Sequence, residues 1–105
     1  MRLDDVDRKA IYLGEGLGHA FVALTEDATV SYLVSDTYNA SREHGINPLD
    51  ERVGLVFPSE AGELLLSPKD TDAPTLAEAA AAGLLPSWDD ARRFYDALNK
   101  EGAKP

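Results

Sequence analysis

Alternating apolar and polar positions are clearest in residues 16–38, where two runs rich in valine, leucine and aromatic side chains flank a short polar turn. The runs are His19–Leu24 and Thr29–Ser35. β-Branched and aromatic residues are enriched in strands, so the pattern predicts a β-hairpin whose turn centres on Glu26 and Asp27. Both faces of this hairpin carry apolar side chains, which is typical of strands inside a sandwich or barrel.

The predicted register of the hairpin places two chemically useful side chains close together. If Glu26 and Asp27 form the turn, His19 and Tyr32 lie on the same face as diagonal neighbours. Diagonal positions of an antiparallel pair are about 7–8 Å apart. We therefore expect the His19 imidazole and the Tyr32 phenol to be able to contact the same small ligand.

Three further apolar runs predict strands around the hairpin, and the segments between them predict turns and loops. The strands are Lys9–Leu13, Val53–Phe57 and Glu63–Ser67. A Gly-x-Gly-x-Gly run from Gly14 to Gly18 predicts a tight connection with positive φ, and not a dinucleotide site, because no helix follows it. The remaining segments are a charged turn at Met1–Arg8, a polar connection at Asn39–Ile46, a charged loop at Lys69–Asp72 and a polar tail at Lys100–Pro105.

Helical signals begin after Pro74. Thr75 and Glu78 have the capping-box spacing, and Gly83 is placed to end that helix. Ser87 is the expected N-cap of a second helix. We therefore predict a partial β domain over residues 1–72 and a helical tail over residues 73–105.

The composition and charge of the chain exclude several classes of partner and of site. The chain has 105 residues, no cysteine and a formal net charge of −9. The negative charge argues against nucleic acid and anionic membrane surfaces as partners. Two histidines without cysteine do not assemble a histidine-rich metal centre in one chain. No leader or long apolar run is present, so a cytoplasmic protein is expected.

The predicted strands also leave much backbone without a partner, because about five short strands make only part of a sandwich. Either the chain pairs with copies of itself, or it is the C-terminal portion of a larger domain.

A group of polar side chains on and after the hairpin could carry chemistry. Taken singly, each has an ordinary structural interpretation as a buried histidine, a core tyrosine or a solvated charge. Taken together, a tyrosine can donate a proton to a carbanion, a carboxylate can hold a histidine tautomer, and a lysine can meet a phosphate. These candidate site residues are His19, Tyr32, Tyr38, Glu43, Lys69 and Asp70.

Motifs along nearly the whole chain agree in order and spacing with one known family. They are Tyr12-Leu13-Gly14-Glu15-Gly16-Leu17-Gly18-His19-Ala20-Phe21, then Tyr32, Asp36 and Tyr38, then Arg42-Glu43-His44-Gly45-Ile46, Asp50 and Leu65-Leu66-Ser67-Pro68-Lys69-Asp70. The chain resembles dTDP-4-dehydrorhamnose 3,5-epimerase. The tail segments Ala73-Pro74-Thr75-Leu76 and Gly83-Leu84-Leu85-Pro86-Ser87-Trp88 resemble the actinobacterial members.

This resemblance implies a mainly β fold: the C-terminal portion of a cupin-type jelly-roll β-sandwich, followed by two short C-terminal α-helices. It also implies a homodimer, no metal or other cofactor, and proton removal and return at C3 and/or C5 of a dTDP-4-keto-6-deoxy sugar. By position, Tyr32 matches the proton donor and Asp70 the carboxylate that pairs with the base histidine. The substrate-binding positions are matched by His19, Tyr38, Glu43 and Lys69.

One departure bears on catalysis. The family's base histidine, a catalytic lysine and several arginines that meet the diphosphate belong to an N-terminal half without an equivalent here, and neither His19 nor His44 matches the base. The chain is therefore expected to be the C-terminal half of an epimerase, as a truncation, a remnant or a fragment. Two functions stay open: an epimerase that needs the other half, or a noncatalytic cupin-like remnant that binds a sugar nucleotide or only dimerises.

Overall fold

The computed structural model describes residues 1–102 and contains three α-helices. They are α1 (Pro68–Thr71), α2 (Leu76–Ala81) and α3 (Trp88–Gly102), preceded by a 3₁₀ turn at Ser59–Ala61. The chain divides into two compact units. One unit joins Met1–His19 to the chain from Pro86 onward, and the other is Ala20–Leu85.

The predicted fold class is wrong. No β-strand occurs within residues 1–102, so the C-terminal portion of a cupin-type jelly-roll β-sandwich is not observed. The turn of the expected hairpin does form, with the Ala28 amide donating to the Thr25 carbonyl at 3.4 Å. A strand is stabilised by backbone hydrogen bonds to a neighbouring strand, and an isolated two-stranded hairpin is marginal in water. The runs that flank this turn have no regular secondary structure and no such pairing.

The other strand predictions fail for the same reason. Lys9–Leu13 and Glu63–Ser67 have no ladder partner among the described residues, and Val53 lies in a turn closed by its amide and the Asp50 carbonyl at 3.0 Å. The register predicted for His19 and Tyr32 is wrong as well, since it requires a paired hairpin. An apolar run predicts that a segment can pair, whereas pairing itself requires a second edge.

The predicted turns of the first unit are confirmed. The Asp4 carboxylate accepts hydrogen bonds from the amides of Val6 and Asp7, at 3.1 and 2.7 Å, in a turn of the charged N-terminal segment. Gly16 has φ +85° in a second turn, where the Leu17 amide donates to the Gly14 carbonyl. Of the glycines between Gly14 and Gly18, only Gly16 uses the left-handed region that glycine enters without a steric penalty.

The two predicted C-terminal helices are confirmed. At α2, the Thr75 hydroxyl accepts from the Glu78 amide and the Glu78 carboxylate accepts from the Thr75 amide, which completes the capping box. Gly83, with φ +69°, donates to the Ala80 carbonyl, and Leu84 donates to Ala79. These two bonds form the Schellman motif that ends many helices. Ser87 caps α3 through the Asp90 amide.

Helix α1 replaces most of the charged loop that the sequence predicts at Lys69–Asp72. The signal was present in Ser67-Pro68: the Ser67 hydroxyl accepts from the Asp70 amide, and Pro68 occupies the first helical position. Helix α3 continues through Gly102, so the start of the predicted polar tail is helical; its residues 103–105 lie outside the described residues. The division at residues 72 and 73 stays a prediction.

Candidate functional site

The candidate site residues Lys69 and Asp70 are neighbours on α1, within the second unit. The Ser67 cap and Pro68 start the helix, and the Asp72 amide closes it on the Pro68 carbonyl at 2.9 Å. Both side chains are exposed, and α1 contains no buried residue. The helix therefore presents an ammonium group and a carboxylate to solvent on adjacent residues.

The end of α1 and the backbone after it are held by Asn47 and Asp50, two residues of an earlier turn. The Asn47 side-chain amide donates to the Thr71 carbonyl at 3.4 Å, and the Asn47 backbone amide donates to the Pro74 carbonyl at 2.9 Å. The Asp50 carboxylate accepts from the Leu76 amide at 2.7 Å, at the first residue of α2. These contacts join parts of the chain that are more than twenty residues apart in sequence.

The charge on Asp50 is favoured by this environment. Hydrogen bonds that the carboxylate accepts lower the pKa of Asp50 below its ordinary value of 3.8. The bond from the Leu76 amide has the largest effect and the bond from the Arg52 amide the next largest, while desolvation opposes them with a smaller effect. A hydrogen-bonded carboxylate of this kind stays ionised at neutral pH. The sequence motifs indicate Asp50 only as a family position, and they do not single out Asn47, which follows the predicted polar connection. The turn sequence Asn47-Pro48-Leu49-Asp50 is the signal that was available.

Tyr38 and Glu43 flank a compact turn in the same unit. The Glu43 carboxylate accepts from the Asn39 amide at 3.2 Å, and the Glu43 amide donates to the Asn39 carbonyl at 3.1 Å. The Asn39 side chain also accepts from the Ser41 amide and hydroxyl. This turn brings Glu43 next to the residue that follows Tyr38, while the Tyr38 side chain remains 69% exposed.

Tyr32 and His19 lie on segments without regular structure. The Tyr32 side chain is 76% exposed, in the second unit. His19 is exposed and belongs to the first unit. Within residues 1–102, no side-chain hydrogen bond or ion pair joins any two of the candidate site residues. The structure thus brings together Lys69 with Asp70, and Glu43 with the residue next to Tyr38.

Residues 1–102 contain no group of three histidine or acidic side chains placed to hold a metal ion. In that range, no helix has the length and apolar character needed to cross a membrane.

The first unit contains a contact that was not predicted. The Tyr95 hydroxyl, on α3, donates to the Glu15 carboxylate at 2.6 Å. A Cβ atom at Gly14 would collide with that hydroxyl, and one at Gly16 would lie 3.3 Å from the Ala91 Cβ. The glycine turn therefore packs closely on α3, and a side chain at position 14 would require the Tyr95 hydroxyl to move.

Comparison with known proteins agrees with the sequence motifs. Residues 1–78 match the model of the dTDP-4-dehydrorhamnose 3,5-epimerase family. The chain belongs to this family of sugar-nucleotide epimerases, as the resemblance predicted.

Three relatives illustrate the match. The chain is 52% identical over 98 residues to dTDP-4-dehydrorhamnose 3,5-epimerase of Mycolicibacterium smegmatis, which covers 93% of this chain and 47% of that protein. It is 53% identical over 87 residues to dTDP-4-dehydrorhamnose 3-epimerase of Streptomyces niveus, with 83% and 41% covered. It is 46% identical over 102 residues to dTDP-4-dehydrorhamnose 3,5-epimerase of Streptomyces griseus, with 97% and 50% covered.

The chain spans about half the length of these relatives, and the matched part is their C-terminal half. No solved structure matches it.

Proposed function

We propose that this chain contributes acid, positioning and substrate-binding groups to an epimerase that acts on a dTDP-4-keto-6-deoxy sugar. The observation that carries the proposal is family membership over residues 1–78, a range that includes every candidate site residue. The reaction removes a proton at C3, at C5 or at both carbons and returns it from the opposite face. Proton removal next to a ketone gives an enolate, so the reaction needs a base, a stabiliser of the oxyanion and an acid.

In this proposal, Tyr32 returns the proton and Asp70 orients the base histidine, which another part of the epimerase provides. A carboxylate that accepts a hydrogen bond from one imidazole nitrogen selects the tautomer whose other nitrogen can accept a proton. The exposed positions of Tyr32 and Asp70 support these roles, because both side chains are accessible to another polypeptide segment and to substrate.

The remaining candidate site residues have binding roles. Lys69 meets the negatively charged nucleotide sugar as a point charge. His19, Tyr38 and Glu43 contact the sugar or the base of the nucleotide. The proposal includes a homodimer in the cytoplasm, in keeping with the resemblance, and a proton-transfer mechanism that uses no metal or other cofactor.

The test joins this chain to a family N-terminal half that supplies the histidine base, and then replaces Tyr32 by phenylalanine. The base should still remove the C3 proton in Tyr32→Phe, while return from the opposite face loses its donor. General acids typically contribute about 10²–10⁴-fold, so net epimerisation should fall by roughly that factor. In heavy water, deuterium should still enter the sugar with its configuration retained, as mass spectrometry and NMR can measure.

Asp70→Asn is the matched variant, and it should suppress exchange and epimerisation together because it disturbs the tautomer of the base. The unjoined chain should give no exchange, since neither His19 nor His44 matches the base. A Tyr32→Phe enzyme within about threefold of the parent, less than the ~1.4 kcal/mol that marks tenfold, would remove the acid role from Tyr32.

The second candidate function is noncatalytic binding of a sugar nucleotide. It is favoured by the exposed, unlinked positions of the candidate site residues, which can bind without being arranged for proton transfer. The joined protein separates the two functions: binding without any exchange would support the noncatalytic one.

A further inference from the structure

Helix α1 is not held in place by burial. None of its four residues is buried, and within residues 1–102 the one buried hydrophobic residue is Ala79, on α2. The position of Lys69 and Asp70 relative to the rest of their unit must therefore depend on directed contacts. Among residues 1–102, the long-range hydrogen bonds near α1 come from Asn47 and Asp50.

These two residues, which we call the clamp, hold the chain at the last residue of α1 and at two points beyond it. The Asn47 side chain binds the Thr71 carbonyl at the last residue of the helix, and the Asn47 amide binds Pro74. Asp50 then accepts from Leu76. Each hydrogen bond restricts the movement of α1 relative to the rest of its unit.

Local hydrogen bonds also hold the two clamp residues in place. The Asn47 side-chain oxygen accepts from the Leu49 amide at 2.9 Å, and the Asp50 amide donates to the Asn47 carbonyl at 3.1 Å. The Asp50 carboxylate also accepts from the Arg52 amide at 3.1 Å. Both clamp residues are half-buried, whereas Lys69 and Asp70 are exposed. The clamp thus has the local support that a positioning residue requires.

We propose that Asn47 and Asp50 are positioning residues. They fix the position of Lys69 and Asp70 for binding of the nucleotide sugar. This inference rests on the proposed function, because it assigns a purpose to the placement of α1. Neither clamp residue needs to touch substrate: Asn47 acts through Thr71 and Pro74, and Asp50 acts through the start of α2.

The first measurement uses the whole 105-residue chain without ligand. In Asp50→Ala and in Asn47→Ala, the backbone amide signals of Lys69 and Asp70 should move, and their exchange with solvent should speed up by about tenfold, as expected for loss of one hydrogen bond to a charged or buried partner. Asp50→Asn keeps an acceptor oxygen and should restore most of the original spectrum. Unchanged Lys69 and Asp70 signals in both alanine variants would overturn the proposal.

The second measurement places the same substitutions in the chain joined to a family N-terminal half, titrates each protein with dTDP and follows binding by NMR. Asp50→Ala should weaken dTDP binding by a factor close to that of Lys69→Ala, and the double variant should lose little more, because residues that act through one contact are not additive. Asp50→Asn should bind nearly as the parent does, which a general loss of folding would not produce. The Tyr95 signals, in the other unit, serve as an internal control.

The outcomes separate the two proposals. If Lys69→Ala weakens binding and Asp50→Ala does not, the positioning role is overturned and the proposed function stands. If the joined parent protein does not bind dTDP while the α1 signals of the 105-residue chain still move in Asp50→Ala, the proposed function is overturned and placement of α1 by the clamp is supported.

Discussion

Tyr95 shows how one contact changes the chemistry of a side chain. Its hydroxyl donates to the Glu15 carboxylate, and loss of the phenolic proton would break that bond and place two negative charges together. The bond raises the pKa of Tyr95 from 10.0 to about 12, with smaller contributions from desolvation and nearby charge. The two residues are eighty positions apart, so no local pattern predicts the pair.

The raised pKa makes a prediction about alkaline pH. The unfolded chain loses the Tyr95 proton near pH 10 while the folded chain keeps it to about pH 12. Stability from this bond is therefore fully present below pH 10 and is lost as the pH rises from 10 to 12. Ultraviolet titration of tyrosinate should show one late-ionising tyrosine that disappears in Tyr95→Phe.

The control is Glu15→Gln, which keeps the size of the side chain and removes its charge. The late ionisation should move to lower pH in this variant. A titration curve that is the same in Glu15→Gln and in the parent chain would show that the carboxylate does not hold the Tyr95 proton.

At the scale of elements, local signals predicted α2 and α3 well. Thr75, Glu78, Gly83 and Ser87 were each assigned the role that the structure gives them. Helix ends are satisfied by residues within a few positions in sequence, so short motifs are sufficient to predict them. The strands were predicted wrongly because each one needs a partner edge that no local motif describes.

The capping box of α2 provides a test at this scale. Thr75→Ala removes the hydroxyl that accepts from the Glu78 amide, and such losses typically cost about 1 kcal/mol. That cost corresponds to roughly fivefold faster exchange of the Glu78 amide with solvent, measured by NMR. Thr75→Ser keeps the acceptor and should exchange nearly as slowly as the parent. Equal exchange rates in Thr75→Ala and Thr75→Ser would show that α2 does not depend on its cap.

At the scale of the whole molecule, much apolar surface meets solvent. Leu33 is 101% exposed, Leu65 94% and Phe21 69%, while Ala79 is the only buried hydrophobic residue that the described part of the chain contains. Burial of apolar area is the main favourable term in folding, at about 25 cal/mol per Å². A chain that leaves so much of it in water has a strong tendency to cover it with another polypeptide.

We therefore expect the isolated chain to be poorly stable as a monomer and to self-associate. Sedimentation should show a mass that rises with concentration. Added salt should strengthen association, because it screens the repulsion between chains of net charge −9. Leu33→Lys is the matched variant and should weaken association. A compact monomer with a cooperative thermal transition would contradict this prediction.

The sequence by itself determined the local features, which depend only on residues close together along the chain. The caps of α2 and α3, the turn at Glu26 and Asp27 and the positive φ of Gly16 all follow from a few consecutive residues. Membership of the epimerase family was predicted as well, because motif order and spacing are properties of the sequence.

Only the tertiary structure decided which distant residues meet. Glu15 with Tyr95, Asn47 with Thr71 and Asp50 with Leu76 are contacts between remote parts of the chain. It also decided that the apolar runs remain unpaired within residues 1–102. The physical reason is the same in both cases: a long-range hydrogen bond or a strand ladder forms only where the folded backbone brings a second partner within about 3 Å.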